Sequence, residues 1–162
     1  MIIHYMQDRD RALPLSPIPR KNWEIDAYPV NEIAEYVQDV SQGDIDVLVE
    51  EYYNKYDMIL DGRDPEEFKK HVAVQAGIEI GFERFLEEKK YQAIVTHFGD
   101  LGSLDQLPGL AIQRLMEKGY GFGDEGDWKT AAMGIEAVYI DGDTTIRNLQ
   151  NELRWNSMYF SK

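Results

Sequence analysis

The chain has 162 residues, 43% of them hydrophobic and 12% aromatic, which suits one domain with a moderate core and argues against disorder. A formal charge of -13 argues against nucleic acid and anionic membrane surfaces as partners, since both reward clustered Lys and Arg. Cysteine is absent, which excludes a disulfide scaffold, thiol catalysis and thiolate metal ligation. No apolar run approaches the roughly 20 residues of a membrane span. The opening "MIIHYMQDRDRALPLS" lacks the basic start and apolar core of a signal peptide. The expected location is the cytoplasm.

In chain order, residues 1–22 differ from the rest. Three of the six prolines fall in "LPLSPIPRK", which restricts backbone angles and removes amide donors, so this part reads as a divergent Pro-rich arm or linker. "NWEIDAY" alternates as a short strand would. Val30, Ile33, Ala34 and Val37 follow helical spacing. So do Ile45, Leu48, Val49, Tyr52 and Tyr56, after Asp44 as the expected cap. "DPEEF" at 64–68 is a helix start: a capping Asp, a Pro at the first helical position, and two Glu favoured by the helix dipole. Val74, Ile78, Phe82 and Phe85 carry one face of that helix to about Lys89.

"YQAIVTHF", 91–98, reads as a buried strand. Pro108 opens the helix "PGLAIQRLMEKG", which Gly119 can end in a left-handed cap. "IEAVYI", 135–140, reads as another strand, and "DGDTTIRNLQNELRWN" turns into a last helix. Strands alternating with helices imply an α/β layered domain with a largely parallel, Rossmann-like sheet and flanking helices. Two or three readable strands make a thin sheet of that type.

The chemistry concentrates in "GYGFGDEGDWKTAA", 119–132, where Asp124, Glu125 and Asp127 sit in what reads as a loop of four glycines. Clustered carboxylates suit a hard cation or proton transfer, although Gly and Asp also collect in loops for conformational reasons. "DGDTTIRNLQNE" places Asp141, Asp143 and Glu152 at calcium-loop positions, but Ile146 stands where such a loop needs glycine. It reads as a strand end entering a helix capped by Asp143 or Thr144. His71 falls in a helix and His4 in the arm. His97 falls near the carboxyl end of a strand, where α/β proteins place ligands. Tyr52, Tyr53 and Tyr56 read as packing residues. No phosphate-binding glycine loop occurs in the right context, and no serine lies in a nucleophile motif.

The acidic stretch, taken with "FGDLGSLDQLPGLAIQRLMEKGYGFGDEGDWKTAA", resembles the central domain of the bacterial L-arabinose isomerase family. The likeness extends upstream through "WEIDAYPVNEIAEYVQDVSQGDIDVLVEEYYNKYD" and "AGIEIGFERFLEE". "IEAVYIDGDTTIRNLQNELRWNSMYF" is similar to the extreme C-terminal end of the same family. The resemblance implies residues 23–133 as an incomplete central domain of the arabinose/fucose isomerase type, followed by a C-terminal tail segment at 134–162. It also implies a shortened N-terminus and an internal deletion near Met133–Gly134.

Members of that family interconvert L-arabinose and L-ribulose through an ene-diol, with a divalent ion, typically manganese (Mn2+), holding the sugar oxygens. The resemblance carries over one of four metal ligands, Glu125, which also implies acid–base transfer there. It makes Phe98 a wall of the sugar pocket. Gly99 and Gly102 stand where the family usually has Glu and His. With the other Glu and both His missing, the expectation is weak metal binding and no catalysis by the chain alone. Activity would need ligands from another chain. The other readings are a non-catalytic module that associates with full-length isomerase subunits, and a non-functional product of gene decay. A concentration-dependent homo-oligomer is also expected, through Trp128, Met133 and the aromatic cluster Trp155, Met158, Tyr159 and Phe160.

Overall fold

The structure is a computed structural model that describes residues 2–4, 25–97, 99, 101–124, 126–132 and 134. Its elements run β1 (Ile2–His4), β2 (Ala27–Pro29), α1 (Val30–Gln38), α2 (Gln42–Lys55), α3 (Pro65–Lys89), β3 (Ala93–Thr96), α4 (Gly109–Lys118) and β4 (Gly121–Asp124). A further helical stretch covers 128–132. The architecture is α/β, with a small parallel sheet and flanking helices. The strand expected at 135–140 and the helix after it lie outside the described residues.

Local chemistry accounts for several helix ends. At α3, one Asp64 carboxylate oxygen accepts the amides of Glu66 and Glu67, both at 3.0 Å, and Pro65 occupies the first turn where its missing N–H costs nothing. Gly119 ends α4 with φ 112°, a left-handed conformation that glycine adopts without strain. The start of α2 differs from expectation. Ser41, not Asp44, is the cap: its hydroxyl accepts the Asp44 amide at 3.2 Å. Asp44 lies within the first turn and pairs with Arg84 on α3 at 2.9 Å.

The strands depart from expectation at two points. Ile2–His4 is not loose chain but pairs antiparallel with β2, with Ile3 opposite Tyr28. The glycine-rich "GFGD" is not loop either: β4 runs parallel to β3, with Ala93 opposite Gly121 and Thr96 opposite Asp124. Glycine has little strand preference of its own, so β4 owes its extended form to hydrogen bonding with β3.

The β3–β4 pair separates two apolar layers. Ile94 faces the main core, where Ile33, Ile78, Phe82, Phe85, Leu86, Ile112 and Leu115 join α1, α3 and α4. Ala93 and Val95 face the other way, against Ala131 and Trp128. This is the two-residue alternation of a strand buried on both sides. α2 covers the outside of α3 through Val49, Tyr52, Val72 and Ala76. Of the three tyrosines there, Tyr52 is fully buried and Tyr56 packs beside it, while Tyr53 is 39% exposed. Among the described residues no helix is long and apolar enough to cross a membrane.

Glu79 is charged, yet 0% exposed in the α2–α3–α4 seam. Tyr52 donates to its Oε2 at 2.5 Å, Arg114 Nε to both oxygens at 3.2 and 2.9 Å, and Lys118 reaches Oε1 at 2.9 Å. Arg114 also bonds Glu51 at 2.6 Å and lies over the Tyr52 ring at 4.9 Å. Burial disfavours the Arg114 cation, but the Tyr56 hydroxyl and the Glu79 and Glu51 carboxylates outweigh it and hold its pKa above the ordinary value. Burial and the Glu79 charge together push the Tyr52 phenol up. The cluster fixes the position of α4, the helix that leads directly into β4.

Candidate functional site

Ligands in open α/β sheets bind outside the carboxyl ends of the strands. Here that end is formed by Thr96 and Asp124, opposite one another in the register. The chain leaves β3 into the 97–104 loop and leaves β4 into the acidic turn. Phe98 and Glu125, the residues that sequence resemblance puts at the sugar pocket and the metal, follow these two strand ends and lie outside the described residues.

The acidic turn folds back tightly. The Asp127 amide donates to the Asp124 carbonyl at 2.9 Å, and Gly126 takes φ 87°, a left-handed value. A Cβ added at Gly123 would stand 2.0 Å from the Asp127 carbonyl oxygen, so only glycine lets the turn lie against β4. Asp127 is occupied structurally. Its two carboxylate oxygens take the Thr130 amide at 3.1 Å and the Thr130 hydroxyl at 2.6 Å, capping the helix at 128–132. The Thr130 hydroxyl, with help from the Thr130 amide, holds this carboxyl below the usual range. Among the described residues no three His, Asp or Glu side chains come together to hold a metal ion.

The opposite wall is the 97–104 loop, anchored on both ends of α1. Asn31 Oδ1 accepts the Ser103 amide at 3.1 Å, and Gln38 donates to the Ser103 hydroxyl at 3.3 Å. Gly102 has φ 54°, and a Cβ there would meet Asn31 Oδ1 at 2.3 Å and Val30 Cγ1 at 2.4 Å. A larger residue at 102 would push the loop off α1. Further along, Gln75 on α3 ties down the approach to α4, donating to Gln106 at 2.9 Å and to the Leu107 carbonyl at 2.8 Å. Among the described residues, His71 bonds Gln106 at 2.8 Å. His97 is exposed at the end of β3, and its Nδ1 takes the Gly99 amide at 2.9 Å.

Glu79 and Arg114 escaped the sequence reading. The signal was present: Glu79 shares helical spacing with Val72, Ala76, Phe82 and Leu86, all buried on α3. A charge on an apolar face calls for a buried partner.

Comparison with known proteins gives a consistent identity. The family model for the L-arabinose isomerase central domain matches residues 19–141. The L-arabinose isomerase of Geobacillus kaustophilus (strain HTA426) is 42% identical over 124 residues, covering 76% of this chain and 25% of that protein. That of Serratia proteamaculans (strain 568) is 44% identical over 121 residues, 74% of this chain and 24% of the relative. L-arabinose isomerase 1 of Clostridium acetobutylicum is 46% identical over 111 residues, 68% of this chain and 23% of the relative. The chain thus spans about a quarter of the length of these relatives. The match runs through α1 to β4 and both walls of the sheet end, and the chain belongs to the L-arabinose isomerase family through its central domain.

Proposed function

We propose that this chain supplies the central-domain share of an L-arabinose isomerase centre and does not interconvert L-arabinose and L-ribulose by itself. Phe98 lines the sugar and Glu125 contributes one carboxylate to the divalent-metal set. The remaining ligands come from isomerase subunits with which the chain associates in the cytoplasm. One observation carries this reading: the family match spans the segments that leave the ends of β3 and β4. These strands are hydrogen-bonded in register, so residues 98 and 125 each follow a paired strand end. One feature supports the inactivity of the isolated chain: Asp127 is committed to its helix cap.

The test is ketose formation from L-arabinose by the purified chain with manganese, alone and mixed with a full-length L-arabinose isomerase. Losing roughly 4 kcal/mol of metal assistance costs about 1,000-fold in rate, so no turnover is expected from the chain alone. In the mixture, co-sedimentation of the two proteins is expected. Manganese-dependent ketose formation that stays with the chain through repurification, and is lost in Glu125→Gln, would overturn the inactivity.

A further inference from the structure

Building on the proposed sugar site, a second reading concerns how its ligand is recognised. His97 follows Thr96 at the sheet end, and its side chain is exposed. A backbone amide can only donate, so the bond from Gly99 N to Nδ1 at 2.9 Å makes Nδ1 the acceptor nitrogen. In the neutral ring the proton then sits on Nε2, across the ring from Gly99. Gly99 is what admits this arrangement: a Cβ at 99 would stand 2.9 Å from the imidazole Cε1 and 3.0 Å from Nδ1. The loop that carries the Gly99 amide is itself held on α1 through Gly102 and the Asn31–Ser103 bond. Among the described residues His97 has no hydrogen-bond partner besides Gly99. The ring is thus oriented by the backbone, leaving one N–H available at the ligand-binding end of the sheet.

The composition of the two segments that leave the strand ends narrows what that N–H can meet. "HFGDLGSLD", 97–105, and "GYGFGDEGD", 119–127, together hold five acidic residues and no Lys or Arg. A phosphate or carboxylate ligand would be repelled there. A carbonyl or hydroxyl oxygen would not.

We propose that His97 is a specificity-determining residue of this chain, its Nε2–H donating to a neutral oxygen of an unphosphorylated sugar while the Gly99 amide fixes the tautomer. The experiment labels the histidines with 15N and reads both ring nitrogens by two-bond 1H–15N NMR during titration with L-arabinose. The expected result is an Nε2–H tautomer in the free protein and movement of the His97 ring signals on adding sugar. His97→Leu should weaken L-arabinose binding about fivefold, and His97→Gln, which restores an N–H near the same place, should stay within about twofold of wild type. Inorganic phosphate should not displace the sugar. A His97 tautomer protonated on Nδ1, or L-arabinose titrations of wild type and His97→Leu that coincide, would overturn the proposal alone. So would displacement by phosphate. Absence of any L-arabinose response in the wild type would overturn both this inference and the sugar site it rests on. Circular dichroism checks that the variants fold. Should His97→Leu not fold, the tautomer and the Gln variant decide the matter.

Discussion

Two glycines in α3, one turn apart, should respond in opposite directions to the same substitution. Alanine is favoured over glycine inside a helix by about 1 kcal/mol. At Gly77 an added methyl would have Ile45 Cδ1 as its nearest neighbour, at 3.5 Å, an ordinary van der Waals contact. Gly77→Ala should therefore stabilise the fold by about 0.5–1 kcal/mol. At Gly81 the same methyl would lie 2.6 Å from Val37 Cα and 2.7 Å from Val37 N, backbone atoms of α1. Backbone cannot rotate away as a side-chain tip can, so α1 and α3 must separate by about an ångström. That separation would loosen the core between Ile33, Ala34, Ile78 and Phe82, all at most 1% exposed. Overpacking of this kind costs up to about 3 kcal/mol. Offset by the helix preference of alanine, Gly81→Ala should destabilise by about 2 kcal/mol, or roughly 4–8 °C in Tm for a domain of this size. Urea titration of wild type and both variants, followed by circular dichroism, measures each effect. The reasoning fails if Gly81→Ala matches or exceeds wild type in stability, or if Gly77→Ala is the worse of the two.

Glu79→Gln should cost about 3–5 kcal/mol in the same titration, because the buried Arg114 guanidinium loses the buried charge at 2.9 Å that compensates it. Glu117→Gln, which breaks the exposed 2.6 Å pair with Lys55, should stay within about 0.5 kcal/mol of wild type. Asp127 gives a pH prediction. Its folded pKa is depressed by Thr130, so its contribution is present above the unfolded value and is lost as pH falls below about 4. Asp127→Asn should flatten the stability profile in that acid range, and an unchanged profile would exclude Asp127 as a contributor.

How far the sequence speaks for the fold depends on the range of the forces involved. Asp64, Pro65 and Gly119 act within a turn of their own position, and each marks a helix end where chain order alone predicts it. The strand at Ala93–Thr96 is legible because an apolar β-branched run has little alternative. β4 is illegible for the opposite reason. Gly121 and Gly123 carry no strand signal, and the partner that extends them lies across the whole 97–120 connection. The cap of α2 fails at shorter range: Ser41 and Asp44 are both capping residues, and only geometry decides that Ser41 takes the amide. At the site, Phe98 and Glu125 are readable through resemblance, not from spacing, and both lie outside the described residues. His97 is flagged by its place at a strand end. Its tautomer emerges only from the bond to Gly99.

The dependence of β4 on its neighbours sets an order of assembly. A short parallel strand with two glycines has no stability to nucleate on, and its pairing must wait until the long connection is closed. Closure requires α4 in place, and α4 is seated by Arg114 and Lys118 on Glu79. The acidic turn hangs from the last strand to join, so it takes shape only once the helical layer beneath it is complete. A chain whose α4 has not yet docked therefore holds Asp124 and Asp127 on unfixed backbone, and the turn gains its shape from the helical layer and not from its own sequence.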